Sequence, residues 1–255
     1  GTGTAGRQSA PAPATDSPQD PALRYVLAVG AVSAGLSLAD TEHDDDTGRD
    51  AVLSPTGEPT EAVVSDARAR AVARSWGIAP ADGPGEVGDG PGTVVVLVDG
   101  LGLEMLRQRR GHTPTLRQWL AQREAATAVA GAGILTCRPS TTAAALTMLG
   151  TSALPGTTGM VGYSVLNPRL GPPLDASAHP GPDQVLSLIT WKGDNVPSPR
   201  SWQDVPTIFE RLRVGSAVSI GPSRFAGSGL TEAALRGASH LGADRLEDRP
   251  GLAAG

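Results

Sequence analysis

Apolar residues fall into short runs separated by glycine, proline and charge, and the spacing within each run predicts its structure. Thr93 to Val98, TVVVLV, has no alternation, the pattern of a strand buried on both faces of a parallel sheet. Thr127 to Leu135 reads as a second buried strand, and Ser216 to Ile220 as a further one. Helices are predicted for Leu103 to Arg109, for Pro114 to Arg123 with Leu116, Trp119 and Leu120 as its apolar side, and for Ala143 to Leu149. Trp202 to Arg213 and Gly227 to about Ser239 read as two more. Upstream, Thr60 is expected to cap a helix to Trp76 whose apolar side is Val63, Val64, Ala67, Ala71 and Val72, with Gly77 as its stop. Strands alternating with helices predict an α/β fold, a mostly parallel sheet flanked by helices.

Composition divides this picture in two. Aromatic residues make up only 3%, against 33 glycines and 22 prolines, so part of the chain is expected to be unpacked. Residues 1–22 hold too little apolar surface to offset the entropy of ordering, and Ala79 to Gly92 reads as a linker. Residues 1–90 carry 14 acids and 6 bases, and the remainder 12 and 15. The expected organisation is an acidic, largely disordered N-terminal region over 1–90 with one or two helices, then a mildly basic domain over 91–255. A mildly basic domain suits an anionic substrate. No stripe of Lys/Arg interleaved with aromatics is present, so nucleic-acid binding is not predicted.

Leu23 to Ala39 is the most apolar upstream run. It is shorter than the ~20 residues of a membrane span and is interrupted by Arg24, Gly30 and Gly35, so no span is predicted and a cytoplasmic location is expected. Export or membrane association through 23–39 stays open beside a packed helix, a strand pair or disordered chain. Glu42 to Asp46, EHDDD, reads as a solvated charged loop.

The candidate chemistry lies where the runs end. Asp99 closes the first predicted strand, and ligands in open α/β sheets sit at such carboxyl ends. Pro139-Ser140-Thr141-Thr142 leads into the Ala143 helix, with Ser140 or Thr141 as cap. Thr142 is thereby placed at a helix N-terminus, where free N–H groups and the dipole favour a phosphoryl or sulfuryl group.

VDGLG, PSTTAAALTMLGTS and ALPGTTGMVGY together resemble the front half of the nucleotide pyrophosphatase/phosphodiesterase branch of the alkaline phosphatase superfamily. The resemblance runs from about Thr93 to His240 and weakens after Pro168. It implies an alkaline-phosphatase-like fold, incomplete here, in which Asp99 binds a metal and Thr142, bound to the same metal, attacks phosphorus. Two divalent ions, zinc by preference, are implied, and a small-molecule phosphodiester or nucleotide as substrate. Thr151 falls nine positions after Thr142, where the family has a Thr-Gly pair, but Ser152 replaces the glycine. Thr158 stands for a usual histidine, and Tyr163 for an asparagine that helps hold phosphate.

A rival register exists. Cys137-Arg138-Pro139-Ser140-Thr141 is one residue from the sulfatase signature C-x-P-S-R, yet nine positions from Cys137 is Leu146, so the phosphodiesterase register fits better. Cys137 is then a small residue beside the site. Asp175 and His179 have the family's D-x-x-x-H zinc spacing but lie among prolines close to the nucleophile, and are read as coincidental. The chain has no Asp-His dipeptide and four histidines. It is therefore read as the front portion of a longer catalytic domain, whose remaining ligands are not in this chain. Alone, it is expected to bind zinc weakly and hydrolyse little. The alternatives are a sulfatase-like or other superfamily hydrolase, a truncated homologue acting as a non-catalytic binding module, and a metal-free nucleotide site. The last lacks a Gly-x-Gly-x-x-Gly turn.

Overall fold

The structure, a computed structural model, describes residues 22–41, 62–80, 92–126, 133–170, 181 and 184–254. The expectations for 1–21, Glu42 to Asp46, Asp175 and His179 fall outside the described residues, as does 127–132. Within them the chain is a mixture of helices and two small sheets.

A 3-10 turn, Ala22–Tyr25, leads into α1, Val26–Ser33. Apolar on all sides, α1 is buried from Ala28 through Val32. Gly35 ends it at φ 77°, and the Leu36 N–H returns to Ala31 C=O at 3.0 Å. Of the packed helix, strand pair and disordered chain open for 23–39, the packed helix is the one observed. No helix among the described residues is long and apolar enough to cross a membrane.

α2, Asp66–Ser75, starts six residues later than the expected Thr60 cap. Ser65 is the cap, its Oγ accepting the Arg68 N–H at 3.3 Å. Ala69, Val72 and Ala73 are buried while Ala67 and Ala71 are exposed, so the buried face is turned from the one expected. Gly77, at φ 73°, follows its end as expected. α1 and α2 close a core with Tyr25, Leu38, Val64 and Ile208, so the described parts of 1–90 pack onto the later chain.

The predicted strand at 93–98 forms no ladder among the described residues and is exposed, Val94 by 64% and Val96 by 79%. Residues 133–135, the described end of the second predicted strand, likewise form no ladder, with Ile134 and Leu135 exposed. An unbroken apolar run reports avoidance of water; a ladder also needs a partner backbone in register, which the run does not specify. α3, Leu103–Gln108, and α4, Pro114–Ala126, form where expected, but Trp119 is exposed.

α5, Thr142–Thr151, is the central helix. After α6, Pro155–Thr158, β1, Ser164–Leu166, pairs antiparallel with β2, Val185–Ser187. β3, Val218–Gly221, pairs in parallel with β4, Ser239–Gly242, through α8, Gly229–Leu235, a right place for a βαβ unit. The mostly parallel sheet expected from the sequence is thus represented by one parallel and one antiparallel pair.

Trp202 to Arg213 is not the predicted helix. α7, Pro199–Trp202, stops as that run begins, because Pro206 has no N–H to give and disfavours the helical conformation at Val205; the chain is already extended at Gln203, φ −110° and ψ 95°. The freed carbonyls are used elsewhere: Gln203 Nε2 donates to Val205 and Ala233 C=O, and the Arg236 guanidinium donates to the same two carbonyls. Arg236 also pairs with Glu210 at 2.9 Å. α9, Arg249–Ala254, ends the described chain.

Candidate active site

The carboxylate and the hydroxyl meet. Thr142 Oγ1 donates to Asp99 Oδ2 at 3.2 Å across 43 positions of chain. Each arrives by local geometry. Asp99 is carried on a turn closed by the Leu101 N–H to Val98 C=O at 3.3 Å, and Gly100 in its third position sits at φ 74°, where a side chain would be strained. Gly102 then caps α3. On the other limb Thr141 is the N-cap of α5, its Oγ1 accepting the Ala144 N–H at 3.4 Å and its C=O the Ala145 N–H at 2.8 Å. Thr142 follows as the first helical residue, half-buried, while Asp99 is exposed. A carboxylate at the positive end of a helix is favourable by about 0.3–1 kcal/mol.

Cys137 is turned into the core. Only 2% exposed, it packs with Ala144 and Met148, and its Sγ donates to Pro139 C=O at 3.2 Å. Burial pushes its thiol pKa up, which keeps the thiolate scarce at neutral pH.

The departures from the family pattern are absorbed locally. Ser152 adopts φ 61° at the end of α5, the left-handed conformation that suits glycine. Its hydroxyl accepts the Val64 N–H at 2.9 Å, and its carbonyl accepts Arg24 Nε–H at 2.8 Å. Thr151 is buried, bonding Thr147 C=O at 2.7 Å through Oγ1. Thr158 turns inward as well, accepting the Met160 N–H at 3.3 Å. Tyr163 is 58% exposed. Ser228 and Thr231 bond each other and cap α8, with no part in the site.

A shallow cleft of about 650 Å³ opens at the C-terminal ends of β3 and β4, lined by Ser223, Asp244, Arg245 and Glu247 among others; neither Asp99 nor Thr142 lines it. Among the described residues no group of three or more His, Cys, Asp and Glu side chains could hold a metal. Asp99 and Thr142 offer two oxygen donors, a set that fits part of the shell of a divalent cation.

Sequence reasoning had no signal for the reach of the upstream helix. The Leu23 N–H bonds Leu135 C=O at 3.1 Å, and the Leu23 side chain packs beside Cys137.

The family model of type I phosphodiesterases/nucleotide pyrophosphatases matches residues 93–229, spanning Asp99 and Thr142. No curated protein and no solved structure matches the chain. With more than half its length covered by that model, the chain belongs to the type I phosphodiesterase/nucleotide pyrophosphatase family, whose members hydrolyse phosphodiester-type bonds and generally depend on divalent metal.

Proposed function

We infer that Thr142 is the nucleophile in the hydrolysis of phosphodiester or pyrophosphate bonds of small, nucleotide-like substrates, with Asp99 as its partner. The observation that carries this is the 3.2 Å contact between two side chains delivered by separate limbs of the matched region. Asp99 orients the Thr142 hydroxyl by accepting its proton in a hydrogen bond, leaving an oxygen lone pair free for phosphorus. The oxygen–phosphorus bond forms as the alcohol or nucleotide leaves, and water then cleaves the phosphothreonine to return the hydroxyl. Free N–H groups at the start of α5 face negative charge favourably during both steps. Asp99 and Thr142 would hold one of two divalent ions, zinc by preference, which when bound supply a lower hydroxyl pKa and charge neutralisation at the phosphoryl oxygens.

Burial of Cys137 speaks against the sulfatase register. A donor set of two oxygens among the described residues favours, as the second reading, a binding module without turnover.

Hydrolysis of bis(p-nitrophenyl) phosphate with added Zn2+ separates them. Thr142→Ala is expected to abolish the small turnover this chain supports, a loss on the scale of about 10³-fold or more by which loss of a nucleophile acts, while Cys137→Ala leaves it unchanged. Activity that survives Thr142→Ala and disappears with Cys137→Ala would reverse the assignment. Binding of AMP without any Thr142-dependent turnover would favour the module.

A further inference from the structure

The helical run Ala22–Ser33 lies outside the stretch matched by the family model, yet it touches both limbs of the site. At its start, the Leu23 N–H donates to Leu135 C=O at 3.1 Å, on the segment that leads into the Thr142 loop. The Leu23 side chain packs against Cys137, Ala144 and Met148, and Ala144 is two residues from Thr142. Two turns further, α1 presents Gly30 to the segment that ends in Asp99. A Cβ on Gly30 would lie 3.3 Å from Thr93 Cγ2, tight by a few tenths of an ångström, and 3.5 Å from Val95 Cγ2, so a methyl just fits and a larger side chain would push this segment away.

The two limbs form no ladder with one another among the described residues. Directly, they meet only through the Thr142–Asp99 hydrogen bond and the Leu103 side chain against Gly133 among the described residues, so what spans them adds to their relative placement. One backbone hydrogen bond and the Leu23 side chain join the first limb to the helix, and the Gly30 contact joins the second.

We propose that Ala22–Ser33 is a splint that sets Asp99 against Thr142, with Leu23 and Gly30 as positioning residues that never touch substrate. This rests on the reading that Asp99 and Thr142 work as a unit. Shortening Leu23 removes the plug behind the Thr142 loop, and enlarging Gly30 wedges the Asp99 limb away.

The test reads placement without activity or metal. In the full chain carrying Cys137→Ala, Asp99→Cys and Thr142→Cys, dibromobimane becomes fluorescent only when it bridges the two new thiols. Adding Leu23→Ala or Gly30→Leu should slow bridging about tenfold or more in protein still folded by near-ultraviolet circular dichroism, since an ångström of misplacement can cost up to about 10²-fold. Leu23→Met should restore the parent rate. Val72→Ala, a truncation in the core between α1 and α2, should leave it unchanged. Equal bridging in all variants, equal slowing by Val72→Ala, or no bridging in the parent would overturn the proposal. If Gly30→Leu does not fold, the Leu23 pair decides alone. Failure of the Thr142 assignment itself would appear in the turnover of Thr142→Ala, which is a separate measurement.

Discussion

Gly150→Ala is expected to destabilise the protein by about 3 kcal/mol or more, at the upper end of what overpacking costs. A Cβ at Gly150 would run into the Ala234 carbonyl oxygen and stand 2.9 Å from its carbon. Both obstructing atoms are backbone, so relief requires α5 and α8 to move apart. Such a shift also strains the bond from the Ile208 N–H to Gly150 C=O at 2.7 Å, and the Ala143, Leu230 and Ala233 contacts of the shared core. For a domain of this size the loss corresponds to roughly 6–12 °C in Tm. Gly156→Ala is the matched control, because nothing lies within 4 Å of its Cβ position. Thermal melts giving Gly150→Ala the same Tm as Gly156→Ala would refute the close approach of the two helices.

Glu210→Ala is expected to cost about 3 kcal/mol, since it strands a charge in the interior. The Arg236 side chain is 3% exposed and its ion partner at 2.9 Å is Glu210; burial already lowers the Arg236 pKa, opposed by that carboxylate. Glu210 also accepts the Thr207 N–H at 3.1 Å, so the same change loosens the turn that replaces the predicted helix. Part of the loss should return in Glu210→Ala/Arg236→Met, where no charge is left to desolvate. Urea midpoints showing no loss in the single variant would mean that Arg236 finds its counter-charge elsewhere.

What could be read from the sequence was local. A hydroxyl cap at Ser140 or Thr141, the start of α5 and the stop at Gly77 each follow from the stereochemistry of a few neighbouring residues, and the structure has Thr141 as the cap; Asp99, expected at the end of a buried strand, sits instead on a glycine turn. Placement of the α2 start failed because Thr60 and Ser65 have the same capping chemistry. The structure uses Ser65. Trp202 to Arg213 has helical spacing, but the intrinsic veto of Pro206 outweighs it once Gln203 and Arg236 take the carbonyls. Val94 to Val98 shows the other limit: hydrophobicity names a segment that avoids water without naming its partner. Contacts between distant segments, such as Arg24 with Ser152 across 128 positions, leave no periodic trace at all.

The central claim concerns where the phosphoryl group goes. Acid quenching during turnover of bis(p-nitrophenyl) phosphate, followed by peptide mass spectrometry, should find the covalent adduct on the peptide holding Thr142, and should lose it in Asp99→Ala. Continued hydrolysis with an adduct on Cys137, or with no adduct while Thr142→Ala stays active, would contradict it.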